Sequence, residues 1–309
     1  MGMNKLQANL CLICVTFLWS TEVIIFACIP GSVSPFATTA ITSLIGAVLL
    51  FLCFFKRIRG EIRRGGKRFI LRVLFLSVLN CSYNVLYQYG LDYFDVSTGA
   101  FTLSMTVVIL PVILLMIKKS VGKKTWLSAV CVLIGIAFSY MGKIDSINIY
   151  GFLTLAAGCA IRAVYIVKLN DYSREHDPVA ISGLIALFVG CISFAMWFIT
   201  RPATFAEIEW NTQIIASLFI YAYFIVVFAQ TLNIFAQRRA NAATATVIYS
   251  LEIVFSLIWG LTMPADLVDP ITPDVYMLIG VVFIILGNLA ETIDFSFIKA
   301  KMKGREHVG

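Results

Sequence analysis

Ten long apolar stretches dominate the chain and constrain its fold more than any other feature. Each is 16–24 residues long, and most match the roughly 20 residues that a helix needs to cross the hydrocarbon core of a bilayer. Transmembrane β-strands would instead be short and would alternate apolar with polar residues. The pattern therefore predicts an all-α integral membrane protein. The ten stretches are Leu6–Ile29, Pro35–Phe55, Phe69–Tyr89, Val96–Ile117, Trp126–Met141, Ile147–Val167, Val179–Thr200, Thr212–Phe235, Ala242–Met263 and Val275–Ile293.

The overall composition excludes a soluble globular protein. Hydrophobic residues make up 60% of the 309 residues, charged residues only 13%, and the mean hydropathy is +0.91. About 97 residues remain outside the ten stretches, too few in any one place for a soluble domain. The first stretch is too long for a signal peptide and carries Glu22, so we count it as the first helix.

The basic residues predict how the chain is oriented. Of the 24 Lys and Arg residues, 21 fall on one set of alternate loops and tails, whereas the opposite loops hold only Lys143 and Arg201. The positive-inside rule then places both termini in the cytoplasm, as ten crossings require. We expect a multi-pass protein of the cytoplasmic (inner) membrane. The basic run at 56–72 could bind anionic lipid or nucleic acid, but such a run normally sets topology, so we expect the lipid bilayer and no nucleic acid among the partners.

Metal, redox and enzyme chemistry find little support in the sequence. Cys11 and Cys14 have CxxC spacing, but no second pair or histidine lies near them, and both histidines fall in a loop or the tail. Neither an HExxH nor a GxSxG motif occurs. We expect no metal, no cofactor and no enzymatic activity.

Folding the chain on itself reveals an internal repeat at an offset of 146 residues. Polar positions inside apolar stretches coincide, where chance matches are rarest: Asn84 with Gln230, Tyr87 with Asn233, Thr98 with Thr244, Ser104 with Ser250 and Thr106 with Glu252. We therefore predict two five-helix repeats, 1–143 and 144–309, the second ending in a cytoplasmic tail. Because five is odd, the second repeat would be inverted, an arrangement typical of alternating-access transporters.

Three segments resemble the EamA-type branch of the drug/metabolite transporter superfamily: 17–21 (FLWST), 229–260 and 280–287. The resemblance implies two inverted five-helix repeats, a central cavity lined by helices 1–4 and 6–9, and peripheral helices 5 and 10. It also implies a secondary transporter, with precedent for export. The chain departs from the family pattern at Ile253 and Val107, where proline is usual, and at Arg162, where tryptophan is usual. Arg162 suggests a specialised substrate.

Three charged residues inside the stretches need an explanation: Glu22, Arg162 and Glu252. An unpaired charge in hydrocarbon costs at least about 2.5–3.5 kcal/mol, so these side chains should face one another, water or a ligand. Counting along the stretches puts Glu252 near mid-membrane, Glu22 roughly 10 Å inside the outer edge and Arg162 roughly 7–8 Å from the inner edge. The alternative for Arg162 and Glu22 is that they extend to the nearest membrane surface.

Polar residues at helical spacing indicate a lined cavity. Asn80, Asn84 and Gln88 recur every four residues in the third stretch, and Gln230, Asn233 and Gln237 form the corresponding face of the eighth helix. Hydrogen bonding between helices is the alternative, especially for the threonines. The candidate substrate-binding residues are Trp19, Glu22, Asn80, Asn84, Tyr87, Gln88, Thr102, Arg162, Tyr165, Gln230, Asn233, Tyr249 and Glu252.

One guanidinium and two carboxylates suit a zwitterion such as an amino acid. Arg162 would hold its carboxylate by a forked hydrogen bond, and Glu252 or Glu22 would hold its ammonium. Either glutamate could also carry a proton and couple transport to the proton gradient. The alternatives are a transporter of a phosphorylated, anionic or vitamin-like solute, or a passive channel. Small residues in the sixth stretch are compatible with a homodimer.

Overall fold

The computed structural model describes residues 3–29, 33–91, 93, 101–141, 148–202, 208, 210–264 and 274–292, and within these ranges all regular structure is helical. The predicted tail and Thr98 lie outside the described residues. The helices are α1 (Lys5–Ser20), α2 (Glu22–Ala27), α3 (Pro35–Leu91), α4 (Met105–Met116), α5 (Lys123–Met141), α6 (Ile149–Glu175), α7 (Pro178–Thr200), α8 (Thr212–Tyr221), a π-helix (Ala222–Ala229), α9 (Gln230–Gln237), α10 (Ala242–Tyr249), α11 (Leu251–Thr262) and α12 (Val275–Thr292).

Seven helices of the described chain are long and apolar enough to cross a membrane. One of them, α3, contains both the second and the third predicted stretch, and two shorter apolar helices, Lys5–Ser20 and Phe101–Met116, fall in the first and fourth. The fold is that of a multi-pass membrane protein. The number of ten crossings, the inverted topology and the cytoplasmic termini stay predictions.

Helix starts are fixed by short polar side chains. Asn4, Asn148, Asp177, Asn211 and Asn241 each precede a helix, and each side-chain oxygen accepts a hydrogen bond from a backbone N–H two or three residues later. Such caps satisfy donors that have no partner within the helix. The apolar stretches therefore begin as helices at defined residues.

Helix α3 is interrupted between the second and third apolar stretches. Phe54 has non-helical dihedral angles (φ −127°, ψ 25°), and Gly66 adopts a positive φ of 56°. Only glycine takes this conformation without strain, so Gly66 permits a sharp break in the helix. The two apolar stretches of α3 are therefore separate helices on either side of the basic segment.

Helices α5 and α12, which correspond to the predicted helices 5 and 10, pack closely and antiparallel. A Cβ atom on Gly135 would lie 2.7 Å from the carbonyl oxygen of Gly280, and the reverse distance is also 2.7 Å. Farther along the contact, the Ser128 hydroxyl donates to the carbonyl oxygen of Gly287 at 2.6 Å. Small residues let the two backbones approach, as is usual between membrane helices. Helix α3 packs mainly against α6 and α7.

Candidate substrate-binding site

Breaks in the helices surround the interior of the bundle. The first predicted helix is interrupted at Thr21, directly before Glu22, and the ninth at Ser250, two residues before Glu252. The eighth contains the π-helix Ala222–Ala229. Irregular backbone at membrane depth is tolerated where it lines a cavity or is buried in protein, and it is common at binding sites. Two of the predicted charged residues therefore lie beside helix breaks.

The break at Ser250 has a counterpart at Ser104. Ser104 has φ −65° and ψ −13°, and Ser250 has φ −65° and ψ −14°. In both places the serine N–H bonds to the carbonyl oxygen three residues earlier, and its own carbonyl oxygen accepts from the residue three later. The two serines are 146 residues apart, which is the offset predicted from the sequence. The repeat thus extends to local backbone geometry.

Arg162 and Glu252 face each other inside the bundle. The Arg162 Nη2 atom lies 3.8 Å from the Glu252 Oε2 atom, and the two side chains are 14% and 29% exposed. The Arg162 Cζ atom is 6.0 Å from the centroid of the Tyr83 ring. Helix α6 continues to Glu175, so Arg162 is near the middle of that helix. Its side chain therefore points into the bundle. The alternative considered from the sequence was that this side chain extends to the nearest membrane surface.

The guanidinium of Arg162 has few hydrogen-bond acceptors around it. At 3.8 Å the contact with Glu252 is an ion pair without a direct hydrogen bond, and among the described residues Arg162 donates no hydrogen bond to any acceptor. A largely buried guanidinium normally fills its fork with carboxylate or carbonyl oxygens. Arg162 is therefore available to an anionic group of a ligand.

Glu22 lies close to the same pair. Its carboxyl interacts with the hydroxyl of Tyr221 and is near enough to Glu252 and Arg162 for the charges to interact. No cation within the described residues lies within 4.0 Å of it. We call Glu22, Arg162 and Glu252 the core charge cluster.

Aromatic and amide side chains form one wall beside the core charge cluster. The rings of Tyr83 and Tyr165 are 5.7 Å apart. Gln230 donates to the Tyr165 hydroxyl at 3.0 Å, and Asn80 donates to the Tyr83 hydroxyl at 3.1 Å. Tyr87 is close enough to Glu252 and Arg162 to interact electrostatically with both. The structure thus places these predicted site residues next to the charged ones.

Asn80, Asn84 and Gln88 also line a separate small cavity between α3 and α7. Its volume is about 30 Å³, and Ser193 contributes to its wall. This space is large enough for one or two water molecules. Gln88 has no hydrogen-bond partner within the described chain. The predicted polar face is thus next to a cavity, which in this conformation is of water size.

Asn233 and Tyr249 belong to a sealed network. Asn233 is 2% exposed and Tyr249 5%. The Tyr249 hydroxyl donates to Asn233, Gln237 donates to that hydroxyl at 2.9 Å, and the Trp19 ring lies 5.1 Å from the Tyr249 ring. Because their polar atoms bond to one another, these residues connect helices in this conformation.

Thr102 is fully buried between helices. Its hydroxyl hydrogen-bonds to the Tyr140 hydroxyl, and its carbonyl oxygen accepts from the thiol of Cys159 at 3.3 Å. These contacts correspond to the interhelical alternative considered for the threonines.

A second group of charges lies at the basic end of the bundle, and the sequence prediction missed it. Four of these ion pairs join segment 56–72 or Lys119 to residues 171–177, at the end of α6 and directly before α7, and a fifth lies within segment 56–72. We call them the basic-end cluster: Arg57–Asp177 at 2.6 Å, Glu61–Arg64 at 2.6 Å, Glu61–His176 at 2.7 Å, Arg72–Glu175 at 2.5 Å and Lys119–Asp171 at 2.6 Å. The sequence contains one indication of this cluster, because Glu61 is the single acidic residue among the eight basic residues of segment 56–72.

Glu61 is the centre of the basic-end cluster. Its side chain is 8% exposed and bonds to Arg64 and to a ring nitrogen of His176 through the same oxygen. Burial alone would raise the pKa of Glu61, but these hydrogen bonds outweigh it and hold the pKa below its ordinary value of 4.5. Glu61 is therefore ionised at neutral pH and ties the two segments together.

Tyr221 is a further site residue that sequence reasoning missed. It lies at the last position of α8, directly before the π-helix, and faces Glu22. A tyrosine within an apolar stretch gives no sign of this contact in the sequence. The adjacent helix irregularity becomes visible only in three dimensions.

A bundle of apolar helices that encloses opposite charges beside interrupted backbone is the architecture of a membrane transporter. The EamA-like transporter family matches residues 6–141 and, a second time, residues 149–290. The chain belongs to this family, and the resemblance noted in the sequence is confirmed.

Two known proteins are similar over most of the chain. An uncharacterized transporter of Archaeoglobus fulgidus is 28% identical over 273 residues, which cover 87% of this chain and 82% of the relative. One protein of known crystal structure is 16% identical and superposes with a TM-score of 0.70 over 92% of this chain and 96% of its own. The second similarity concerns the fold alone. The family match and the similarity to the Archaeoglobus fulgidus transporter together show that the protein is a membrane transporter.

Proposed function

We propose that the protein transports an amino-acid-like zwitterion, as an exporter of the cytoplasmic (inner) membrane that works by alternating access. The observation that carries this proposal is the loose pair of Arg162 and Glu252. A zwitterion can insert between them, with its carboxylate on the guanidinium and its ammonium on the carboxylate. Arg162 and Glu252 then each replace their distant contact with the other by a closer contact with an oppositely charged group of the solute.

The charge balance of the site disfavours the anionic alternatives. The core charge cluster contains one cation and two carboxylates, so a phosphorylated or anionic solute would increase the negative charge already enclosed. A zwitterion adds no net charge. The exposed residues Arg238 and Arg239 lie at the end of α9 and do not compensate the interior.

The basic-end cluster supports alternating access. Four of its ion pairs connect a residue of the predicted first repeat with one of the second. If the basic end is cytoplasmic, as the charge bias predicts, the pairs hold the two repeats together on that side. Opening toward the cytoplasm would then require them to separate, whereas a passive channel would not need such a contact.

A ligand-stabilisation experiment tests the proposal. Purified protein is heated with amino acids, sugar phosphates, vitamins or quaternary amines, since a bound ligand raises the apparent melting temperature. Arg162→Lys keeps the charge but loses the forked geometry, so the affinity for a stabilising zwitterion should fall about 10–100-fold. Arg59→Lys, the same change at an exposed position, is the control and should leave the affinity unchanged.

Flux measurements complete the test. In proteoliposomes a carrier shows saturation and counterflow of the stabilising zwitterion. Stabilisation by anions alone, an Arg162→Lys variant with unchanged affinity, or an unsaturable flux would contradict the proposal.

A further inference from the structure

The core charge cluster is not neutral by formal charge. Arg162 contributes one positive charge, and Glu252 and Glu22 contribute two negative charges when ionised. Arg162 lies 3.8 Å from Glu252, whereas Glu22 has the neutral hydroxyl of Tyr221 as its close partner. The neighbouring Tyr83 offers a phenol hydroxyl and supplies no cation. One negative charge is therefore left without a counter-charge among the described groups that face it.

An uncompensated charge of this kind is expensive in an apolar bundle. Hydrocarbon cannot solvate a carboxylate as water does, so such a charge is found in membrane helices only where a counter-charge, water or a ligand offsets it. A neutral zwitterion between Arg162 and Glu252 would not remove it. Either a proton or a second positive charge on the solute must neutralise Glu22.

We infer that Glu22 determines charge specificity and that the preferred solute is an amino-acid-like compound with one additional cationic group and a net charge of +1. The inference rests on the proposed function. The solute's carboxylate binds Arg162, its α-ammonium binds Glu252, and its second ammonium or guanidinium binds Glu22. The whole assembly is then neutral.

Aromatic rings beside the core charge cluster fit a cationic group. Tyr83 is near enough to Glu22 for the two groups to interact electrostatically, and its ring lies 5.7 Å from that of Tyr165. Aromatic faces attract ammonium and guanidinium groups. Arg162 itself already lies above the Tyr83 ring.

The empty site reaches neutrality with a proton. Glu22 then holds a proton on its carboxyl oxygen, and arrival of the solute's cationic group releases that proton to the side from which the solute came. After the solute leaves on the other side, Glu22 takes up a proton there. One proton therefore moves opposite to each solute, which couples export of a cationic solute to proton entry.

The test compares lysine with norleucine, which has the same carbon skeleton but lacks the side-chain ammonium. Wild-type protein in proteoliposomes should transport lysine with at least a tenfold lower KM than norleucine. Glu22→Gln should raise the KM for lysine about 10–100-fold more than it changes the KM for norleucine, so that the preference for lysine is lost. The control is Glu291 in α12, whose carboxylate accepts hydrogen bonds from the hydroxyls of Thr125 and Thr244 and is not part of the core charge cluster. Glu291→Gln should keep the lysine preference.

Proton movement gives a second readout. A pH-sensitive dye trapped in the vesicles should report one proton moving against each lysine in the wild type and none in Glu22→Gln. Glu22→Asp keeps the charge and should keep both the lysine preference and the proton flux, which controls for folding defects at this position.

The outcomes separate the two proposals. Equal or better transport of norleucine by the wild type, or an undiminished lysine preference in Glu22→Gln, would overturn the role of Glu22 while leaving zwitterion transport intact. If neither amino acid is bound and Arg162→Lys changes nothing, the proposed function itself fails.

Discussion

The contact between α5 and α12 provides a sharp stability prediction through Gly135→Ala. The new Cβ atom would lie 2.7 Å from the carbonyl oxygen of Gly280 and 3.3 Å from the side chain of Ile284. The first neighbour is backbone, which cannot rotate away, so the helices must separate by several tenths of an ångström. Such overpacking costs about 1–3 kcal/mol.

A second effect of the substitution has the opposite sign. Alanine favours a helix over glycine by about 1 kcal/mol. Gly60→Ala isolates this gain, because Gly60 lies in helical segment α3 and a Cβ atom there would meet nothing within 4 Å. The difference between the two variants therefore reports the steric cost alone, about 1–3 kcal/mol.

The assay is thermal unfolding in detergent, followed by a thiol-reactive dye. The eight cysteines include the buried Cys159, whose exposure reports loss of structure. At about 2 °C per kcal/mol for a chain of this size, Gly135→Ala should melt about 2–6 °C below Gly60→Ala. Gly280→Ala should act in the same direction, since its Cβ atom would meet the carbonyl oxygen of Gly135 at 2.7 Å. A Gly135→Ala variant as stable as Gly60→Ala would refute the close packing of these helices.

Three further predictions concern stability. Glu61→Gln should lower the apparent melting temperature at neutral pH. The pKa of Glu61 is held below 4.5 in the folded protein. The difference in melting temperature from wild type should therefore persist above pH 4.5 and shrink as the pH falls below that value. Tyr249→Phe keeps the ring but loses two buried hydrogen bonds, so it should cost about 1–3 kcal/mol, and an unchanged melting curve would contradict the sealed network. Gly66→Ala forces alanine into φ 56° and should melt below Gly60→Ala by the equivalent of about 1–2 kcal/mol; equal stability would mean that this turn is not strained.

The sequence alone determined the class of protein. Apolar stretches long enough to cross a bilayer are a local property, because in hydrocarbon each backbone must satisfy its own hydrogen bonds within the helix. The internal offset of 146 residues was visible because polar residues are rare in such stretches, and the equal geometry of Ser104 and Ser250 agrees with it. Glu22, Arg162 and Glu252 could be singled out because the cost of burying a charge depends on the residue type.

Only the tertiary structure decided which of these residues meet. Hydropathy does not fix the rotation of one helix against another, so it could not show that Arg162 faces Glu252 while Glu22 faces Tyr221. For the same reason hydropathy could not distinguish Asn84 from Asn233. Both are polar residues inside apolar stretches, but Asn84 lines a small cavity and Asn233 is buried in a hydrogen-bond network. Four of the five ion pairs in the basic-end cluster likewise join residues more than 50 positions apart. Such pairings depend on helix crossing and loop geometry, which are properties of the assembled bundle.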